Sequence, residues 1–486
     1  MKCALQEFQH MFPHLTSRLK TSAPQTVPNA EEMVSFVPME CPILPLDTKL
    51  TCTDMLHTPF DEENGPLWRV QHVTEAIMDA ANLVSKSSAN MDARLILLLQ
   101  GFGPELSAIV EDEADEPTRW RYFLRYMQGK VNQRTIDPFD STEEGYRNFI
   151  IFTFHPSVTD TVGVFHLLRQ FLVILDSILA LDGNTAPLPD VGVAGESHSL
   201  PPPIEQLIHQ QLSYATIKEW SGFNSFKEYI YSRKSPLEFL GGVESPPERG
   251  HAHVLRGWLS EAETRELLAI MDEDDVSLHG VILAATLTSL SRMLDNENLS
   301  CPSLKVANDL NLRQFCSSAP KLGCLNSCYE AEYSTQDIAS RSDFWKYSHE
   351  LTVKHNQAKD QFTLRSGSHR KTTPYSCDMA VSSYGNLGLL FRNKSFFSEV
   401  AMDSIDTWSK PLNEVLQTNI RLEDVFHVVN GRDVGVPFLH SVHVLHGKLN
   451  YILVYDTNLI RDQRHALMVR DETINVLRMA VDSKQD

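Results

Sequence analysis

The stretch IIFTFHPSVTDTVGVFHLLRQFL, Ile150 to Leu172, decides how this chain is read. Ile150 to Phe154 are all β-branched or aromatic, the composition of a short buried strand. A polar turn follows, and from Val164 to Leu179 the residues Phe165, Leu168, Leu172, Leu175 and Leu179 recur at spacings of three and four. That spacing predicts one apolar stripe along a helix. His155 closes the strand and Asp160 sits on the turn. A strand-end histidine can project into a cleft, and an aspartate beside it can orient it or bind an arginine. The same pair can also be purely structural, and the stretch alone leaves both readings open.

Working outward, the 486 residues exceed what one hydrophobic core uses, so two domains are expected. A composition of 42% hydrophobic and 22% charged residues is that of an ordinary globular protein. The net charge of −20, from 63 acidic and 43 basic residues, argues against nucleic-acid or anionic-membrane partners. The start, MKCALQEFQHMFPHL, lacks the pattern of a signal peptide. His166, Arg169, Gln170 and Asp176 interrupt the richest apolar run, Val164 to Leu181, so no membrane span is expected. Eight scattered cysteines read as thiols of a reducing compartment, which predicts a cytoplasmic location.

Turn and linker composition divides the chain. The stretch LDGNTAPLPDVGVAGESHSLPPP, Leu181 to Pro203, predicts a linker at 183–203 between an N-terminal half, 1–182, and a C-terminal half, 204–486. GGVESPPERG, Gly241 to Gly250, reads as a loop within the second half, and VEDEADEP, Val110 to Pro117, as a solvated surface insertion. LNYILVY, Leu449 to Tyr455, reads as another buried strand, and Ser260 before Glu261 and Glu263 as a helix N-cap with a capping box.

Five further segments bear on the opening stretch. They are FDEENGPLWRV (Phe60 to Val70), LSEAETRELLAIMDEDDVSLHGVILAATL (Leu259 to Leu287), NDLNLR (Asn308 to Arg313), SSYGNLG (Ser382 to Gly388) and LHGKLNYILVYD (Leu445 to Asp456). With HPSVTDT they resemble, in order, the segments of condensation domains and related CoA-dependent acyltransferases. That superfamily includes chloramphenicol acetyltransferase, the plant BAHD acyltransferases and the alcohol acetyltransferases. The opening stretch is similar to its HHxxxDG motif, and the 259–287 segment to its helix, HG turn and second helix. The resemblance covers most of residues 45 to 480.

The resemblance implies an α/β fold of two chloramphenicol-acetyltransferase-like halves with a tunnel between them. A small-molecule acyl thioester, acyl-CoA as co-substrate or a thioester on a separate carrier protein, would meet an alcohol or amine acceptor there. No bound cofactor or metal is implied, and the protein is expected to be a monomer. The motif aspartate, at Asp160, would pair with an arginine at Arg313. Asn386, with Gly385 and Gly388, would offer donors to an acyl oxyanion.

Residue by residue, the first motif histidine falls on His155, the second on Pro156, the aspartate on Asp160 and the glycine on Thr161. The second histidine is the family's general base, and a proline nitrogen can neither accept nor donate a proton. General base catalysis typically contributes about 10² to 10⁴ in rate. Two expectations therefore stand: an acyltransferase with its base elsewhere, or a non-catalytic binding descendant. Strand alternation points His155 away from the cleft face unless a bulge before Pro156 re-aims it. Thr161 replaces a glycine whose conformation or close approach a β-branched residue tolerates poorly. His440, His443 and His446 recur every third residue, which alternation splits between two sheet faces, so they do not read as metal ligands.

Overall fold

A carboxylate and a hydroxyl fix where two of the described helices begin. In the computed structural model Asp160 accepts from the Gly163 N–H at 2.8 Å and its carbonyl from Val164 N–H at 2.9 Å, the bonds of an aspartate N-cap. Ser260 does the same for the helix after it, with the capping box complete: Ser260 Oγ accepts from Glu263 N–H, and Glu263 Oε2 accepts from Ser260 N–H at 2.7 Å.

The structure describes residues 2–22, 33–38, 59–63, 65–76, 146–180, 252–299, 301–315, 323–335, 343–360, 377–388, 422, 424–429, 436–457 and 459–484. The expected linker at 183–203, the loop at 241–250 and the acidic insertion at 110–117 lie outside them. In chain order the elements are α1 (Lys2–Met11), β1 (Ser17–Ser22), β2 (Met33–Pro38), β3 (Trp68–Ala76), β4 (Tyr146–Phe154), α2 (Thr161–Ala180), β5 (Ala252–Trp258), α3 (Glu261–Glu273), α4 (Leu278–Asn296), β6 (Ser303–Asn311), β7 (Asn326–Ser334), α5 (Phe344–Asp360), β8 (Met379–Asn386), β9 (Phe438–Leu445), β10 (Lys448–Asp456) and α6 (Gln463–Asp482). Two compact units emerge. One comprises 1–45, 51–69 and 153–486, and the other 46–50 and 70–152. The second is described through β3 and β4, which pair as a two-stranded sheet.

The large unit is organised by a six-stranded sheet in the order β5-β10-β9-β8-β6-β7. β8 runs parallel to both β6 and β9, and the other pairings are antiparallel. One face carries the main core, where Val306, Val381, Phe438, Val442 and Leu453 pack with Leu267, Ile282, Leu290, Leu351 and Leu477 of α3 to α6. Alternation sends Ala307, Ala380, Leu439 and Ile452 to the opposite face. There Phe165 of α2 packs with Leu387, Val425 and Leu445.

Helix α2 differs from expectation in how it is buried. Its fully buried residues are Phe165, Leu167, Phe171 and Ile174, whereas Leu179 is exposed. The reason is α1: Phe8 meets Phe171 edge-on at 5.6 Å, so a second side of α2 is covered, while Leu168 and Leu172 of the expected stripe are only partly buried. Thr161–Leu179 is also long and apolar enough to cross a membrane, contrary to the reading from its polar residues. Part of that apolar surface is buried, against α1 and the Leu387–Val425–Leu445 cluster.

The HG pair lies elsewhere than expected. His279 and Gly280 are inside the first turn of α4, capped by Ser277, and the turn before it is made by 274–277 with Asp275 at φ +53°. Among the described residues no cysteine forms a disulfide.

Candidate functional site

The turn after β4 is tied down on both sides. His155 N–H donates to Leu67 O at 2.8 Å, continuing the strand by one residue. Its imidazole is engaged by a residue of the same turn and by one from a distant segment. Nδ1 lies 2.7 Å from Ser157 Oγ, and Nε2 lies 3.3 Å from Glu62 Oε1. The Phe60 ring stacks edge-on at 5.6 Å. Pro156 is exposed, and its carbonyl accepts from Cys324 Sγ at 2.8 Å. Desolvation where that sulfur lies against the turn, with the Asp160 charge adding, pushes the thiol up to about 12 although Cys324 as a residue is exposed. The packing of the sulfur itself decides its state, and it stays a protonated donor.

Asp160 and Arg313 form a bidentate ion pair, Nη1 to Oδ2 and Nη2 to Oδ1, both 2.8 Å, with each side chain 2% exposed. Asp160 Oδ2 also accepts from Leu325 N–H at 2.8 Å. One carboxylate thus caps α2, clamps the 3-10 turn after β6 and holds the strand entering β7, with its lone pairs filled. Arg313 Nη2 reaches Gly323 O at 3.4 Å on the same side. Buried charge is sustained here by geometry close to the ideal fork.

The crowded glycine of this turn stands two residues after Thr161. Thr161 is the first helical residue of α2 and has no positive φ, so a β-branched residue fits there without strain. Gly163 is the crowded position: a Cβ would stand 1.8 Å from Thr159 Oγ1 and 3.3 Å from Arg313 Nη2.

Asn386 ends β8, where pairing with β9 shifts register between Ser383 and Asn386 and Gly385 takes φ +62°. Its Oδ1 accepts from Gly388 N–H at 2.8 Å. That backbone donor is therefore spent inside the turn, and Nδ2 carries the donors Asn386 has to offer a ligand.

Three residues not singled out in the sequence join this region. Asp309 follows the helix-facing Asn308 on β6 and so faces the other side, half-buried and opposite Cys328 on β7. Burial pushes its carboxyl up to about 7. The Asp160 charge adds to this, while hydrogen bonds from Ser382 and the Leu310 N–H and the Arg313 charge oppose it. Tyr384 hydrogen-bonds Thr161 and Ser382, and burial holds its phenol in the protonated form. His427 packs edge-on to Tyr384 at 4.8 Å and to Phe165 at 5.3 Å. Burial first and then the neighbouring His443 hold it neutral. Asp309 is one of four polar residues in SLKVANDL, so nothing in the strand's own sequence singles it out.

The other histidines are placed individually. His440 Nδ1 lies 2.6 Å from Tyr451 Oη, while His446 Nε2 bonds Leu422 O at 2.8 Å from a positive-φ turn. His443 lies beside His427, ring centroids 5.5 Å apart. On the helix face His279 stacks on His355 at 4.0 Å and bonds Asn308 Oδ1 at 3.0 Å.

Solved structures match this architecture across the chain. The chain covers 88% of the epimerization domain from the third module of tyrocidine synthetase B at 10% identity and a TM-score of 0.51, with 99% of this chain aligned. It covers 85% of the trichothecene 15-O-acetyltransferase from Fusarium sporotrichioides at 10% identity and a TM-score of 0.54, with 98% aligned. This is the condensation-domain and CoA-dependent acyltransferase fold. No family model matches the sequence. No curated protein matches it either. At such identity the likeness defines an α/β architecture, and function has to be argued from the residues.

Proposed function

We propose that this protein binds an acyl thioester and transfers the acyl group to the hydroxyl or amine of a small-molecule acceptor. The observation that carries this reading is the Asp160–Arg313 pair, which fixes the strand-turn-helix at the place where the resemblance puts the reaction. Acyl-CoA is the donor of first choice in this reading, with a thioester on a separate carrier protein as the other, and the cytosol is the proposed location. Asn386 Nδ2 is the proposed oxyanion donor, and His155, held by Ser157 and Glu62, stays outside the proton transfer.

A second reading, a non-catalytic binding protein, is favoured by one observation: the residue at the base position is Pro156. Incubation of the full chain with acyl-CoA thioesters of two to sixteen carbons and mixed hydroxyl and amine acceptors separates the two. Thiol release coupled to an acylated acceptor, seen by mass spectrometry, is the expected result. Thioester binding without any acylated product supports the second reading instead.

A further inference from the structure

We propose that Asp309 is the group that takes the acceptor's proton during acyl transfer, positioned by the hydroxyls of Ser382 and Tyr384. This inference rests on the acyltransferase reading above and supplies the base that Pro156 cannot.

The geometry starts with strand alternation. Asn308 points into the helix face, where it meets His279, so Asp309 shares the opposite face with Ala307. That face is the one that α2 approaches through Phe165. Ser382 bonds both the Asp309 carboxyl and Tyr384, and Tyr384 bonds Thr161, the residue after Asp160. A run of hydroxyls therefore links Asp309 to the start of α2, beside the turn that holds Pro156. The cation that acts on Asp309, Arg313, is committed through both terminal nitrogens to Asp160. The carboxyl is thus half-buried, hydrogen-bonded for position, and not consumed by an ion pair with Arg313. A base near neutrality is the one best matched to proton transfer at physiological pH, and about 7 is where the surroundings hold this group.

The step balances simply. The acceptor oxygen or nitrogen attacks the thioester carbonyl carbon, forming the new C–O or C–N bond as its proton passes to the Asp309 carboxylate. Collapse of the tetrahedral adduct breaks the C–S bond, and the proton on Asp309 goes to the departing thiolate, regenerating the carboxylate. No oxidant, metal or further reactant is required.

Among the described residues, the charged and titratable groups facing Asp309 are Asp160 and Arg313 at the start of α2 and after β6, Tyr384 on β8 with His427 packed on it, Cys328 opposite on β7, and Lys305, Glu330 and Glu332 farther along the same face of β6 and β7. Of these Asp160 and Arg313 are mutually neutralised, and the phenol stays protonated, so the titration near neutrality belongs to Asp309.

The test uses the full chain with a thioester and acceptor that give turnover, alongside calorimetric binding of a non-hydrolysable acyl-CoA thioether. Wild-type kcat is expected to rise with pH through about 7 and level off. Asp309→Asn should lower kcat by about 10² to 10⁴ and flatten that profile, with thioether affinity kept within about twofold. Asp309→Glu should recover part of the rate. Because the carboxyl is raised above its unfolded value, stability is lost as pH climbs from about 4 to about 7, and the loss is complete above that. The melting temperature of Asp309→Asn at pH 8 should therefore equal or exceed that of the wild type. Wild-type turnover in Asp309→Asn, or a lower melting temperature for it at pH 8, overturns this inference and leaves the acyltransferase reading intact. A wild type that neither binds the thioether nor turns over overturns both.

Discussion

Arg313→Ala is expected to destabilise the protein by about 3–5 kcal/mol, a large share of the roughly 5–15 kcal/mol of an ordinary domain. The loss comes less from the attraction than from what remains behind. Asp160, with its side chain 2% exposed, would keep a charge without its cation, holding only the Gly163 and Leu325 N–H groups. Arg313→Met with Asp160→Asn should recover much of the loss, because it removes both charges and keeps the N-cap acceptor of α2. Urea denaturation followed by circular dichroism measures both variants. A single variant within about 1 kcal/mol of wild type would mean that the pair is not buried in solution.

Acid is expected to unfold the protein between about pH 6 and 4. Five histidines are held below their ordinary value by desolvation first. His279 and His443 are held at about 4, His355 and His440 at about 3, and His427 well below 6.5. The stability linked to neutral folded imidazoles is fully present above the unfolded value near 6.5 and is lost as pH falls towards the folded values. At pH 5 each independent histidine contributes about 2 kcal/mol of loss, and the set rivals the whole stability of a domain. Asp309 acts in the opposite direction over the same range, since protonating it relieves a buried charge, but one group does not offset five. Replacing His440 by Gln should shift the acid midpoint down. A midpoint below pH 3 would show that these imidazoles are already protonated in the fold.

The fold was legible where local chemistry and long-range packing agree. The strand Ile150 to Phe154, the helix after it, the Ser260 capping box and the strand at Leu449 are all signalled within a few residues, and all four form. The hairpin before that last strand was harder to see. His446 at φ +52° and Gly447 at φ +72° make a turn of two left-handed residues, and His-Gly is a weaker signal than Asn-Gly. Similarly, the glycine that crowding requires is Gly163, displaced from the motif position, because the close approach is to Thr159 and Arg313.

The candidate site was only half legible. Asp160, Pro156 and Arg313 stand in motifs, so their positions could be read before their geometry was seen. Asp309 could not, because what sets it apart is the company of Asp160, Arg313, Ser382 and Tyr384, brought in from three separate segments. His155 was decided by a contact equally remote in sequence, the carboxylate of Glu62.

The central claim is that proton transfer does not occur at the turn where the family keeps its base. The turnover number of His155→Ala, measured on folded protein with the thioester and acceptor that the wild type uses, tests this directly. Retention of the rate within about threefold is the predicted result. A fall of 10² or more, about what general base catalysis supplies, would return the proton to His155 and contradict the account.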